Sequence, residues 1–404
     1  MVAKVHDNEE SSTAVDHNDA GNGEAVIPMD PLIALLHHRH AFTSSYTTAE
    51  EKTAAQSAII AKIQENNMRP YWQLMSDMLG WPVDAKRAAE MDKINELALE
   101  RLTARIKDAQ DNLGDVEVRE ALLAKCDFYA SIGDLDACLK FNEECSGKTL
   151  APGPKLDLCF QRIRLGIAFS NNDVAAKGIT DAHRLMKDGD WERRNRLKVY
   201  EGLYHVFIRD FEKGSSMLID SLTTFASTEI LDFKQFVLIT VVSALPVLSR
   251  ADLKKKVIDS PEVVSAGIAS INELVSSIYN CNYGQCFAAL DDVCQEIRRF
   301  VFMSLHVNYF FREVRVLFLN QFLDSYSSVT LTSMSAAFKI PVAVLDQMLC
   351  TLISNERVAG KIDRVSGSVT TYRGNATNFE YHRIIKQGDL LISRIQKLSR
   401  MVEL

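Results

Sequence analysis

No stretch of this sequence is apolar for long enough to cross a bilayer. The longest mainly apolar run, Phe236 to Leu248, is thirteen residues and includes Pro246, whereas a spanning helix needs about 20. A buried core helix is expected there, and no membrane partner. The first thirty residues contain no apolar core behind a basic start, so no secretory signal is expected. Close cysteine pairs are also missing. Cys126, Cys138, Cys145, Cys159, Cys281, Cys286, Cys294 and Cys350 include no CxxC spacing, the usual mark of a zinc site. Reduced core thiols are expected, and no metal. A basic excess is lacking as well. Net charge is −7, and residues 1–30 hold seven acids against Lys4, which accounts for −6 of it. The remaining body is close to neutral, which argues against a nucleic-acid partner. The tail itself, rich in Asn, Asp, Ser and Gly, is expected to be disordered.

Catalytic motifs are equally scarce. Ser146-Gly147-Lys148-Thr149 ends like a phosphate-binding loop, but the full motif needs a glycine where Asn142 stands, after a strand. The preceding residues read as helix. His37, His38 and His40 contain a metalloprotease-like His-x-His pair, yet the next acid downstream is Glu50, at the wrong spacing. No GxSxG elbow is present. Neither catalytic residues nor a cofactor are expected. The basic run Asp190 to Lys198 reads as a solvated helix start, with Trp191 tucked into a groove between repeats.

What is present is helical periodicity. Met91, Ile94, Ala98, Leu102, Ile106, Ala109 and Leu113 recur at steps of three and four, which predicts one long amphipathic helix capped by Asp84 and stopped at Gly114. From residue 115 a weak repeat places a polar turn residue before an apolar one, at Asp134-Leu135, Asp173-Val174, Asp210-Phe211, Asp252-Leu253 and Asn282-Tyr283. Gly133-Asp134 followed by Ala137 and Cys138 is similar to the inter-helix turn of a tetratricopeptide repeat. Each such helix pair needs a neighbour to cover its apolar face, which predicts a solenoid.

The pattern changes after residue 326. Thr332 is expected to cap a short helix to Phe338, and Ile340-Pro341 forms a turn. A second helix carries Val344, Leu345, Met348, Leu349, Leu352 and Ile353. Two β-prone segments follow, Val358–Val365 and Val369–Tyr372, completing the order of a winged helix. Its second helix offers Asp346 and Gln347 but no cation, so protein rather than DNA contact is expected despite Lys361, Arg364 and Arg373 on the wing. An exposed wing strand can be extended by a neighbouring strand. Finally, Ile384, Gly388, Leu391, Ile395, Leu398 and Val402 form a heptad seam. Burying its five large side chains would contribute roughly 1.5–3 kcal/mol each, against roughly 1–2 kcal/mol per residue ordered. Helices of other chains are therefore expected to complete it.

The expected architecture is mostly α. An acidic tail (1–28) precedes an N-terminal helical region (29–114), tetratricopeptide-like repeats (115–325), a winged helix (326–376) and a C-terminal helix (379–404).

The stretch Gly189–Gly214, GDWERRNRLKVYEGLYHVFIRDFEKG, resembles a signature of the proteasome regulatory-particle lid subunits, specifically the non-ATPase regulatory subunit 6 family. Asn66-Asn67-Met68-x-Pro70-Tyr71, Lys386-x-Gly388-Asp389-Leu390-Leu391 and Gln396-Lys397-Leu398-Ser399-Arg400 agree with it, in order over roughly residues 60–404. The resemblance implies a PCI domain, beginning near residues 190–210, and a hetero-oligomeric, non-catalytic scaffold of cytoplasm and nucleus. Its implied partners are other PCI-type lid subunits, the lid deubiquitinase module and the proteasomal ATPase ring. Winged helices joined side by side would then use Val358, Lys361, Ile362, Val369, Thr371 and Tyr372. A helix bundle would use Ile384, Leu391, Ile395, Leu398 and Val402. Pro152-Gly153-Pro154 departs from the family pattern and is expected to form a loop. The paralogous scaffold subunit of the signalosome is the alternative.

Overall fold

The computed structural model describes residues 28–112, 114–186, 190–371 and 376–402, so nearly all of the acidic tail lies outside the described residues. The chain opens with α1 (Pro31–Thr43), α2 (Ala49–Glu65), α3 (Arg69–Leu79) and α4 (Ala85–Asn112). Asp84 does begin α4, accepting the Lys86 N–H at 3.1 Å, while Gly114 serves as the N-cap of the following helix. The buried stripe of α4 follows the expected one in part, with Ala98 and Leu102 half-buried and Leu113 outside the described residues. Met91, Ile106 and Ala109 are buried, but Ile94 faces out and Asn95 takes the inner place. The Asn95 amide donates to the Asn67 carbonyl at 2.9 Å, which satisfies a polar group that burial would otherwise penalise.

Helix pairs follow: α5 (Asp115–Ile132) with α6 (Leu135–Lys148), α7 (Pro152–Ala168) with α8 (Asn172–Leu185), and α9 (Trp191–Phe207) with α10 (Phe211–Asp220). Their turns share one construction. Gly133, Ser170 and Arg209 adopt left-handed backbone, with φ of 78°, 57° and 67°. The next residue, Asp134, Asn171 or Asp210, sends its N–H back five positions, to Tyr129, Gly166 or His205. Its side chain then accepts an N–H in the first turn of the next helix, from Ala137, Val174 or Lys213. One residue thus closes the first helix and caps the second. In the second repeat the turn residue is Asn171, while Asp173, expected in the turn, lies in the first turn of α8. The pairs cross closely: a Cβ on Gly166 would lie 2.7 Å from the Ala175 backbone nitrogen. Pro152-Gly153-Pro154 starts a helix instead of forming a loop, with Pro152 in the first turn, where a missing N–H costs nothing.

Beyond the pairs lie α11 (Phe233–Ala244), α12 (Arg250–Leu253, continued by a π-helical turn over Lys254–Ile258), α13 (Pro261–Ala266), α14 (Ala269–Tyr279), α15 (Tyr283–Arg298), α16 (Val301–Ser304) and α17 (Val307–Leu323). The apolar run is a core helix as expected, every residue from Phe236 to Ala244 being buried. Asn282 repeats the backbone half of this turn between α14 and α15, following left-handed Cys281 and sending its N–H back to Ser277, but its side chain donates to Gln285 and does not cap α15. Asp252, in contrast, sits inside α12, which Ser249 caps.

The winged helix comprises β1 (Ser328–Thr330), α18 (Leu331–Phe338), α19 (Val342–Ser354), β2 (Gly360–Asp363), β3 (Ser368–Thr371) and, after it, α20 (Ala376–Val402). Helices α18 and α19 meet at 103°, within the usual helix-turn-helix range. The antiparallel sheet has the order β1-β3-β2, with Val369 between Val329 and Ile362. Strand β1 was not expected from the sequence, and it shifts the helix cap from Thr332 to Thr330, whose hydroxyl accepts the Ser333 N–H. Three residues with only Val329 turned inward carry too little periodicity to be read as a strand. The winged helix is not a separate body. Phe338 packs against Tyr283, Phe287 and Phe322, so one apolar core runs from α7 to β3.

Candidate interaction surfaces

The side chains proposed for partner contact divide sharply by environment. Val358 and Val369 lie in the core of the winged helix, under α18 and α19 beside Leu345 and Leu349, and are unavailable to a partner. Both belong to β-prone stretches whose inner residues the fold itself consumes. Lys361 is exposed, Ile362 and Thr371 are half-buried, and Tyr372 lies outside the described residues. Strand β2 forms one edge of the sheet, so Lys361 and Ile362 stand where a further strand would be added. Of the wing cations, Arg364 is tied to Asp346 of α19 at 3.1 Å, and Arg373 lies outside the described residues.

Helix α20 presents its seam openly. Leu391 is 60 % exposed and Leu398 62 %. Ile384, Ile395 and Val402 are similarly exposed, and so are Tyr381, Ile385 and Ile392, which the heptad reading did not include. At 3.6 residues per turn these side chains cover an arc of roughly 140°, wider than the narrow seam of a two-helix contact.

The elements singled out for chemistry have ordinary structural roles. Ser146-Gly147-Lys148 is the last turn of α6, and the Thr149 hydroxyl donates to the Cys145 carbonyl at 2.7 Å. Helical backbone cannot form a phosphate cradle. All eight cysteines are free thiols, with Cys126 and Cys138 3.6 Å apart between α5 and α6. Among the described residues no group of three or more His, Cys, Asp or Glu is arranged to hold a metal ion. Trp191 is 67 % exposed, outside any groove. Two of the four cations in the run around it are paired within the chain, Arg193 with Asp157 and Asp190, and Arg196 with Glu229.

That last pair belongs to a buried polar node which sequence reasoning did not find. Glu229, only 6 % exposed, accepts from Arg196 Nη2 at 2.7 Å through both oxygens. It also accepts from the Tyr200 hydroxyl, and Arg164 Nη1 lies 3.4 Å away. Arg164 Nε in turn donates to Asp30, the N-cap of α1, at 3.0 Å. Burial opposes the charge on Glu229, yet the Arg196 hydrogen bonds and the Arg164 charge hold its pKa below the usual range. The node joins α1 to α7, α9 and the segment before α11.

His37 sits on α1 as well, edge-on to Phe302. Burial, reinforced by the nearby His40 and His38, lowers its pKa to about 4, and Nε2 has no hydrogen-bond partner. The unfolded histidine titrates near 6.5, so between those values the unfolded state binds more protons. Stability should fall as pH drops from about 6.5 toward 4, by about 1–2 kcal/mol at pH 5 from this group. Urea unfolding at pH 7 and pH 5 checks this: the variant His37→Phe should lose less stability across the interval than the parent chain.

Comparison with known proteins fits these features. The family model described as 26S proteasome subunit RPN7 matches residues 84–256, the PCI domain model residues 290–373, and the model for the RPN7/PSMD6 C-terminal helix residues 381–402. The 26S proteasome non-ATPase regulatory subunit 6 of Dictyostelium discoideum is 37 % identical over 358 residues, covering 87 % of this chain and 94 % of the relative. Its counterpart from Oryza sativa is 36 % identical over 389 residues, 96 % of this chain and 100 % of the relative. COP9 signalosome complex subunit 1 of Arabidopsis thaliana is 20 % identical over 315 residues, 77 % of this chain and 70 % of the relative. The chain belongs to the family of 26S proteasome non-ATPase regulatory subunit 6, a PCI-domain regulatory subunit.

Proposed function

We propose that this chain is a non-catalytic scaffold in the lid of the 26S proteasome regulatory particle, acting in cytoplasm and nucleus in the degradation of ubiquitinated proteins. The observation that carries the reading is the broad apolar arc left exposed along α20. In isolation it exposes surface worth roughly 25 cal/mol per Å² if buried, and an arc of that width fits between several helices of other subunits. A second contact runs along β2, where Lys361 and Ile362 meet the winged helix of a neighbouring PCI subunit by sheet extension, with Thr371 on the adjacent central strand. Through these contacts the subunit helps to hold the deubiquitinase module beside the ATPase ring.

A pull-down of the tagged chain from cell extract, with mass spectrometry of its partners, tests this alongside a version ending at Asn378. Lid, ATPase and core-particle subunits should accompany the full chain and be largely lost from the shortened one. Recovery of signalosome subunits or cullins in their place would overturn the choice of complex, and undiminished recovery by the shortened chain would overturn the role of α20.

A further inference from the structure

We propose that the surface where the α9–α10 turn meets the start of α17 docks a partner segment carrying a phosphorylated serine or threonine. Three guanidinium groups lie there against two aromatic rings of α17, Arg209 and Arg312 at Tyr309 and Arg315 at Phe311. Arg209 and Arg312 each place their guanidinium carbon 5.3 Å from the centroid of Tyr309, so the two lie within twice that distance of each other. Arg315 covers Phe311 at 4.5 Å. Arg312 uses its Nε and Nη2 on Glu313 and Arg209 its Nε on His306, which leaves the two terminal nitrogens of Arg209 and Nη1 of Arg312 to meet a phosphoryl group.

The positive charge at this place is poorly compensated. Among the described residues, the one carboxylate within ion-pair distance of these three arginines is Glu313, which reaches Arg312 at 3.2 Å and is shared with Arg357. Asp210, next to Arg209 in sequence, pairs instead with Lys213 at 3.2 Å and lies near His205. Arg315 Nε is buried without a hydrogen-bond partner. A phosphoserine, with nearly two negative charges and three acceptor oxygens, matches such an excess better than one carboxylate does.

Arg209 is also held in place. It has left-handed backbone, φ 67°, unusual for a residue other than glycine. Its Nε donates to His306 Nδ1 at 3.2 Å, while His306 Nε2 donates to the Phe207 carbonyl at 3.0 Å. Both bonds form together only in the neutral Nε2–H tautomer of the imidazole. The turn is thereby fastened to α17, and the arginine waits in one position rather than sampling many, which lowers the entropic cost of capture. Beside it stand Ile208, 43 % exposed, and Leu305, 70 % exposed. Their apolar surface would contact a side chain next to the phosphorylated residue, which favours a peptide over a free ion.

The test uses the full chain and a fluorescent degenerate peptide pool with a fixed central phosphoserine and a leucine fixed in turn at each flanking position. The same pool with serine in the centre serves for comparison, binding is followed by anisotropy, and inorganic phosphate is the competitor. The phosphorylated pool should bind at least about tenfold more tightly than the serine pool. Arg312→Ala should abolish that preference, as should Arg209→Lys, which keeps the charge but loses the fork. Leu305→Ser should weaken the pool while leaving competition by inorganic phosphate unchanged. Equal binding of the two pools, or full preference in both arginine variants with parental melting temperatures, would overturn the proposal. So would complete displacement of the peptide by inorganic phosphate at equal concentration, which would indicate a bare anion site.

Discussion

Replacing Glu229 with alanine is expected to lower folding stability by about 3–5 kcal/mol, because it leaves the partly buried Arg196 without a counter-charge and Arg164 with Asp30 alone. Arg164 and Arg196 converge on this carboxylate from α7 and α9, and each is largely withdrawn from water. Glu229→Gln should be milder, since the amide can still accept one hydrogen bond. The effect also has a direction in pH. The folded-state pKa of Glu229 is depressed, so its contribution is complete above the unfolded value of about 4.3 and is lost as pH falls through the folded value. Urea midpoints for parent and Glu229→Ala should therefore differ constantly from neutral pH down to about 4.3 and converge below it. A difference under about 1 kcal/mol at neutral pH would mean that the node behaves like a solvated surface ion pair.

The second large effect concerns assembly and leaves the fold untouched. Leu391→Asp with Leu398→Asp should abolish incorporation into the regulatory particle while the isolated chain melts as before. Both side chains are mainly in water in the single chain, so charge there costs the monomer little. Within a helix bundle the same carboxylates would be buried without partners, at several kcal/mol each. Co-expression with tagged lid subunits followed by native gel electrophoresis reads the outcome. Normal co-migration of the double variant would show that α20 is peripheral to assembly.

Much of this architecture is legible in the residues because helical repeats are local objects. Asp134 and Asp210 announce helix starts, since a short carboxylate before an apolar residue has few other uses. Asp173 misled because Asn171, two positions earlier, takes the turn position. The C-terminal seam is legible because its period is strict, although Ile385 and Ile392 escaped a reading that sought a single stripe. What resisted was anything decided between distant segments. Glu229 lies in a stretch with no periodicity, and its partners are 33 and 65 residues away in sequence. Trp191, expected in a groove, stays bare at the start of α9, because large aromatic residues are mostly covered and no local rule marks a helix end that is not. Val358 and Val369 read equally well as core or as interface, since both uses select β-branched residues.

The strap formed by α1 sets an order of events during synthesis. Asp30 is bound by Arg164 and, through its N–H, by the Glu229 carbonyl, Arg39 donates to the Ala168 carbonyl, and His37 meets Phe302. Helix α1, made before its partners, is therefore among the last described helices to find all its contacts. At roughly 5–20 residues per second, it must wait on the order of ten to fifty seconds while the intervening chain is translated. Through that interval Leu32, Ile33 and Leu35 can share a core with Ile59 and Ile63 of α2, which follows at once, whereas Leu36 lacks Val301 and Phe302, beside which it finally lies. The nascent chain thus carries a helix whose far side stays uncovered for a time set by the pace of the ribosome, and slowing translation across the repeats would prolong the exposure of that side to chaperones.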